Sequence, residues 1–529
     1  MCFSVFISFR CGAGGVAPIG PTTRREPSFW ASFSKQNHTQ MSDFLVFRER
    51  SSVEPAFPVI QRVGAQSSAV MTNFLLGLDV GTTSVKAVLL ATDSRTVSAS
   101  HALPTAADLS PDGGMKAKEQ DTGRIIDAVN RCVGELPADK LRRLRGIGLS
   151  GQMHGVLLWR AKSGCDWSSG DSFTPRDASQ LITWQDGRCS SEFLRSLPKP
   201  DSHINTATGF GCATLFWLMR NRPEFLEDFT VAGTIQDYVV SMLCGLDGCV
   251  MTPQNAASWG FFNTSTNQWN ESILKAAGFP LHLLPQCVPS GGLAGKTRSI
   301  WHGIPAGTPV GAALGDFQCS VYSCMSAPTD AVLNISTSAQ LTFAMPAGFT
   351  PPDSPDPTSS ISYFPYFDSS YLAVAASLNG GNVLATFVGM LTSWMRELGA
   401  DLTESSLYEK LIDLALNQES SDLRMIPTIL GERHDPGSLG QVTHISTSNL
   451  SLGHVTRALC RGVLSNLASM MPAELLGNAG VSRIVGSGSA LERNQVFRQE
   501  VERAFPFQVM YGKNADSAVG VAMVLSDRL

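Results

Sequence analysis

The sequence predicts an α/β protein made of two similarly built lobes, and three observations carry that expectation. From residue 74 onward, short apolar strand-like runs alternate with helical ones. Two hairpins with hydroxyl-rich turns stand far apart in the chain, one around Gly81-Thr-Thr-Ser84 and one around Ser336-Thr-Ser338, as though one unit were built twice. At 529 residues, with 43% hydrophobic and 16% charged residues, the chain is long enough for two or three domains with well-buried cores.

Residues 1–71 read differently from the rest, without a hydrophobic period and with a Gly-rich patch at Gly12-Ala-Gly-Gly15. They are expected to be a disordered extension or an over-extended start, because Met71 stands directly before the first strand. Arg10, Arg24, Arg25 and Lys35 oppose the single acid Glu26 before Met41, which keeps mitochondrial targeting as the alternative to a cytoplasmic location. Residues 74–79 form an apolar run that ends in the carboxylate of Asp79, and 85–90 leave the following turn as a second strand. A helix is expected over 120–135. The strand at 144–150 delivers Gly151-Gln-Met-His-Gly155 to its end. In the second half, 331–335 and 339–343 are strands, 350–357 is a surface loop, and 483–489 ends a strand before a helix over 490–504. The first lobe is placed at 72–327 and the second at 328–529. Residues 371–395 carry no charge, but the Ser377-Leu-Asn-Gly-Gly-Asn382 in their middle is costly in lipid, so a buried loop and helix is expected there instead of a membrane span.

The net charge of -5 leaves no basic excess for a nucleic acid partner. The twelve cysteines form no C-x-x-C pair and read as buried thiols, not as a zinc site or a disulfide framework.

Several short motifs carry chemistry. In Asp79-Val-Gly-Thr-Thr-Ser-Val-Lys86, Gly81 allows a phosphate close to the backbone and the hydroxyls of Thr82, Thr83 and Ser84 can donate to its oxygens. Lys86 adds charge, and Asp79 can hold Mg²⁺ through water. An ordinary hairpin turn would use the same residue types. Asp316 follows the apolar run 310–314 and so stands at the mouth of a strand, where it could take the proton from a hydroxyl attacking a γ-phosphate. Capping a turn is its plain alternative. Gln152, Met153 and His154, together with Trp184, Asp186 and Arg188, combine polar groups with apolar faces suited to a polyol, although a lone His or Trp is often structural. Gly486 and Gly488 could let an adenosine lie against the backbone. They also form half of a dinucleotide fingerprint, with Leu491 replacing its last glycine.

Taken together, these residues resemble the FGGY family of carbohydrate kinases from about Thr72 to the C-terminus. Asp79-x-Gly-Thr-Thr-Ser-x-Lys86 resembles the family's first phosphate motif, Gly315-Asp316 its catalytic base and Ile335-Ser-Thr-Ser338 its second phosphate motif. Gly380, Gly381, Gly486, Gly488 and Asn494 fall where the family holds nucleotide. The resemblance implies two actin-like (ribonuclease H-like) lobes with the active site in the cleft between them. It also implies ATP and Mg²⁺, and sugar bound mostly by the first lobe.

Gly151-Gln-Met-His-Gly155 is shared with xylulokinases. The stretches 183–193, 207–213, 255–260, 377–387 and Leu430-Gly-Glu-Arg-His434 point instead to a family member acting on a seven-carbon ketose, whose product feeds the pentose phosphate pathway. D-Xylulose is the alternative substrate. An actin-like ATPase and a catalytically silent sugar sensor are the alternatives outside sugar phosphorylation. The chain departs from its relatives at Thr214-Leu-Phe-Trp217, which lacks a Lys, at His434-Asp435 and at Arg461, where a carboxylate is usual.

Overall fold

The computed structural model describes residues 72–110, 116–168, 172–400, 402–418, 421–512 and 515–529. The expectation for residues 1–71 lies outside them. The first sheet is built from β1 (Phe74–Val80), β2 (Ser84–Ala91), β3 (Val97–Pro104), β4 (Leu144–Gly151), β5 (Leu293–Lys296), β6 (Pro309–Gly311) and β7 (Leu314–Gly315), in the order β5-β6-β4-β1-β2-β3 with β7 beside β4. Strands β1 and β4 are buried along nearly their whole length, which is why they read as continuous apolar runs rather than alternating ones. Helices α1 (Thr122–Gly134) and α2 (Ile235–Cys244) close a core against this sheet that includes Leu78, Val85, Ile125, Val129 and Tyr238. Both helices start on side-chain caps: Asp121 accepts from the Arg124 N–H, and Thr234 and Asp237 form a reciprocal capping box. Helix α3 (Pro253–Trp259) and helix α4 (Asp316–Cys324) complete the set around the end of β7.

The second sheet contains β8 (Asp330–Ile335), β9 (Ala339–Ala344), β10 (Ile361–Pro365), β11 (Tyr371–Ser377), β12 (Arg483–Ser487) and β13 (Gln508–Met510), in the order β10-β11-β9-β8-β12-β13. Its helices are α5 (Gly381–Glu397), α6 (Glu404–Leu416), α7 (Leu452–Met470) and α8 (Gln495–Ala504). Each sheet holds an antiparallel hairpin, β1–β2 or β8–β9, whose first strand runs parallel to a later strand, β4 or β12. The repeat suggested by the two hydroxyl-rich turns is therefore a repeat of topology.

Three expectations change. The uncharged stretch 371–395 is strand β11 followed by helix α5, and no described helix is long and apolar enough to cross a membrane. The helix expected over 490–504 is interrupted at Asn494, whose extended backbone ends a short helix and caps α8. The last helix, α9 (Ser517–Arg528), falls in the range expected for the second lobe but packs on the first sheet.

Glycines allow that packing. A Cβ at Gly77 would stand 1.9 Å from the Ala518 carbonyl oxygen, and one at Gly520 would stand 1.8 Å from the Cys319 carbonyl oxygen. Backbone meets backbone at both points. Gly520→Ala is therefore expected to destabilise the protein by about 1–3 kcal/mol or more, outweighing the helix-propensity gain of about 1 kcal/mol. Urea unfolding checks this, and an unchanged midpoint would reject the packing argument.

An apolar cluster joins the two sheets. Met153, just beyond β4, and Phe317 and Val321 on α4 meet Val332, Leu372, Val374 and Val485 of the second sheet. Asp316 is the first residue of the helix that carries Phe317 and Val321.

Candidate active site

Strand register brings the chemistry together. Asp79 stands opposite Lys86 in the β1–β2 pairing and opposite Ser150 in the β1–β4 pairing. Strand β7 lies on the other side of β4, with Leu314 opposite Ser150 and Gly315 opposite Gly151. Asp316, one residue beyond, is thus delivered beside the turn that Asp79 opens.

The turn itself is tight, since the Gly81 N–H donates to the Ser84 carbonyl at 3.0 Å. Thr83 is exposed at its tip, while Thr82 and Ser84 are half-buried. The Ser150 hydroxyl donates to Asp79 Oδ1 at 2.9 Å, and among the described residues no group donates to Oδ2. Lys86 is not a free cation. Its ammonium pairs with the carboxylate of Asp516, which also caps the start of α9. The sequence reading missed Asp516, although an Asp directly before the helical run at 517–525 is an N-cap signal.

Burial pushes the Asp79 carboxyl up to about 6; the Ser150 hydrogen bond opposes this, the Asp516 charge adds to it and Lys86 opposes it. Asp316 is pushed up to about 8, first by burial and then by the Asp79 charge, while the bond from its neighbour Phe317's N–H works the other way. Once ionised, a carboxylate with its pKa raised in this way is a stronger acceptor for a hydroxyl proton than an ordinary one. Its backbone is held too, because the Ser517 hydroxyl donates to the Asp316 carbonyl at 3.0 Å.

Thr82 connects this centre to the polyol-type residues. Its hydroxyl donates to Gln152 Oε1 at 3.4 Å and accepts from Trp184 Nε1 at 3.0 Å. Gln120, which sequence reasoning left unmarked inside an expected helix, donates to the Thr82 carbonyl at 2.8 Å and accepts from Gln152 Nε2 at 3.0 Å. Met153 packs against Gly315, where a Cβ would lie 2.7 Å from its sulfur. His154 has a left-handed backbone with φ of 72°. It stacks on Phe210 with ring centroids 4.6 Å apart and places Nδ1 2.9 Å from the Ser258 carbonyl. Burial lowers its pKa to about 4, so the ring is neutral, Nδ1 carries the proton towards the carbonyl, and Nε2 is a bare acceptor without a partner among the described residues.

Two of the expected sugar ligands are engaged elsewhere. Asp186 Oδ1 accepts from the Arg188 backbone N–H at 3.0 Å and from its Nε at 2.7 Å, while Oδ2 accepts from the Lys118 N–H at 2.8 Å and Arg188 Nη2 at 3.0 Å. Arg188 also binds Glu119 at 2.5 Å and lies over the Trp217 ring. With both carboxylate oxygens filled by the chain itself, Asp186 braces the 183–188 segment behind Trp184.

The second turn is one residue shorter than the first, the Ser336 N–H donating to the Ser338 carbonyl at 2.9 Å. The start of α5 sits on it, with Gly381 N–H on Ser336 O at 2.8 Å and Asn382 N–H on Thr337 O at 3.0 Å. A Cβ at Gly380 would stand 2.3 Å from the Ser338 carbonyl carbon, and one at Gly488 2.4 Å from the Ile335 oxygen. Ser336, Thr337, Ser338, Gly380, Gly381 and Gly488 thus converge where β8, β11 and β12 end.

Gly486 does not join them, because it lies inside β12 and faces Tyr511. Asn494 does not either. Its Oδ1 accepts from the Val496 and Phe497 N–H groups at 2.9 and 3.4 Å, and its Nδ2 meets Cys460 Sγ at 3.7 Å. Glu432, not singled out as a site residue, braces the segment before Gly380 by accepting from Ser377 Oγ (2.5 Å), the Leu378 N–H (3.1 Å), Asn379 Nδ2 (2.9 Å) and Asn466 Nδ2 (2.8 Å). Among the described residues, no group of three His, Cys, Asp or Glu side chains could hold a metal by itself.

Comparison with known proteins bears directly on this arrangement. A family model described as the N-terminal domain of the FGGY family of carbohydrate kinases matches residues 74–323. The sedoheptulokinase of Mus musculus is 57% identical over 86% of this chain and 97% of its own length. That of Homo sapiens is 55% identical over 86% of this chain and 97% of its own length. The crystal structure of xylulose kinase from Rhodospirillum rubrum, 22% identical, superposes with a TM-score of 0.70 over 85% of this chain and 89% of that one, and shares the two-lobed fold. The matched motifs, and relatives this similar over nearly their whole length, show that the chain belongs to the FGGY family of carbohydrate kinases.

Proposed function

We propose that the protein transfers the γ-phosphoryl group of ATP to the terminal hydroxyl of sedoheptulose, giving the 7-phosphate. The observation that carries the chemistry is the placement of Asp316, with its raised pKa, beside the Asp79 turn by the register of β1, β4 and β7. The sugar is inferred from the two mammalian relatives and is supported by the polar set on the first lobe, Gln152, His154 and Trp184. The neutral His154 would accept a hydrogen bond from a sugar hydroxyl, and the indole face would cover apolar C–H surface.

In this mechanism the sugar hydroxyl gives its proton to Asp316 as its oxygen attacks phosphorus, and ADP leaves. The first turn (Gly81, Thr82, Thr83, Ser84) and the second (Ser336, Thr337, Ser338) donate to phosphate oxygens, with Gly380, Gly381 and Gly488 giving the nucleotide close access to the backbone. Lys86 stands beside the first turn as half of an ion pair with Asp516, so the pair orders that end of the hairpin without adding net charge. Asp79 suits Mg²⁺, because it is an oxygen donor whose Oδ2 has no donor among the described residues. A magnesium ion held there would keep waters and phosphate oxygens as its remaining ligands. Bound Mg²⁺ supplies charge neutralisation on the phosphates.

The test is a panel of sedoheptulose, D-xylulose and glycerol with ATP, scored by ADP release and product mass. Sedoheptulose is expected to exceed D-xylulose in kcat/KM by at least about tenfold. Equal use of D-xylulose would reject the sugar assignment. ADP release independent of sugar would reject the kinase mechanism in favour of an ATPase.

A further inference from the structure

Two fully buried glutamines lie directly behind the proposed base, Gln254 on α3 at 1% exposure and Gln318 on α4 at 0%. Gln254 Oε1 accepts from the Gly315 N–H at 3.2 Å, and its Nε2 donates to the Tyr366 carbonyl at 3.3 Å. Gln318 Nε2 donates to the Pro365 carbonyl at 3.2 Å. Its Oε1 lies against Gly315, where a Cβ would stand only 2.3 Å away, and no described group donates to it. Pro365 ends β10 of the second sheet and Tyr366 follows it. Two consecutive carbonyls of the second lobe therefore hold two amides whose other ends meet at the residue before Asp316.

Packing alone does not call for amides here. Phe317 already meets Phe364 edge-on at 6.1 Å, within an apolar cluster that joins the two sheets. A methionine would fill either position and would remove the unpaired Gln318 Oε1, but it would also take the amide donors from the Pro365 and Tyr366 carbonyls and the acceptor from the Gly315 N–H. Directional bonds are what the glutamines add.

We propose that Gln254 and Gln318 are positioning residues that tie the placement of Asp316 to the 365–366 segment of the second lobe. The proposal rests on the reading of Asp316 as the base. A shift of the nucleotide-bearing lobe moves the Pro365 and Tyr366 carbonyls, and through the amides it moves Gly315 and the carboxylate that follows it. The base thereby reaches its working position only when the second lobe is in place, which limits proton transfer to the assembled cleft.

The experiment compares Gln254→Met, Gln318→Met, the double variant and Asp316→Asn, each as the full chain. Each single glutamine variant is expected to lower kcat by at least about tenfold, with KM for sugar and ATP, and ADP affinity by calorimetry, within about twofold of the parent. The double variant is expected to lose less than the product of the two single losses, since both act through Gly315. If Gln254→Met does not fold, Gln318→Met carries the test. Retention of kcat within about twofold, or a rise in both KM values alongside the loss, would overturn the proposal. Asp316→Asn separates the two readings: full activity there removes the base itself, whereas an inactive Asp316→Asn beside unaffected glutamine variants removes only the coupling.

Discussion

Asp316→Asn is expected to lower kcat by about 10²–10⁴-fold while leaving the ADP dissociation constant nearly unchanged. The amide has the shape of the carboxylate but cannot take the hydroxyl proton, and no described phosphate-turn residue depends on the charge. Turnover near that of the parent would remove Asp316 from the mechanism.

Its pH behaviour sharpens the test. The base must be ionised to work, so the parent's activity rises with pH towards about 8, where burial and the Asp79 charge have placed its pKa. The residual activity of the Asn variant should lack that limb.

Stability runs the opposite way. The folded chain holds the Asp316 proton up to about 8 while the unfolded carboxyl releases it near its ordinary value of 3.8. Between those limits the native state binds more protons, and native stability falls as pH rises. Asp79, raised to about 6, has the same sign over a narrower window. Asp316→Asn should therefore gain urea resistance over the parent at alkaline pH and little near pH 4. A parent protein whose stability rises from acid to pH 8.5 relative to the variant would contradict the burial argument.

The second large effect is structural. Arg457 on α7 is 1% exposed and bonds to three places: the Ala415 carbonyl at 3.0 Å, Glu500 at 2.6 Å and Gln499 at 2.6 Å. It ties α7 to the last turn of α6 and to α8. Arg457→Met is expected to cost about 3–5 kcal/mol, since it leaves Glu500 buried without its inner partner. Arg503, also on Glu500 at 2.7 Å, moderates the loss.

Converting both ends, with Arg457→Met and Glu500→Leu, should recover much of the stability, because no charge is then stranded. Equilibrium unfolding measures both variants, and a single variant as stable as the parent would show that the pair contributes nothing. The same helix carries Asn466, which supports Ser377 and Glu432 below the second turn. Loss of α7 packing should thus also weaken ATP binding.

The elements that could be read directly from the sequence share a physical character. Strands β1, β4 and β8 each carry a largely apolar run, closing on Asp79-Val80, Gly151 and Ile335, so local composition marks both the run and its stop. The two turns were visible because Gly, Ser and Thr are the residues that such turns require. Asp316 stood out as a carboxylate directly after an apolar run.

What could not be read is long-range. Asp516 lies 430 positions from the Lys86 it neutralises, and no local pattern links them. Gln254 and Gln318 look like ordinary helix residues until Gly315 and the 365–366 carbonyls are brought to either side. Asp186 and Arg188 have the chemistry of sugar ligands, yet they satisfy each other. Asn494 looks like a nucleotide contact and is a helix cap.

By itself, then, the sequence determined the α/β class, the doubled hairpin with its hydroxyl turns, and the two carboxylates at strand ends, since each depends on neighbours within a few residues. Only the tertiary structure decided that α9 belongs to the first sheet, that Lys86 is paired, and that Gln254 bridges Gly315 to a carbonyl of the second lobe. Those outcomes depend on which buried polar groups find partners, and partners are assigned by the packing of distant elements.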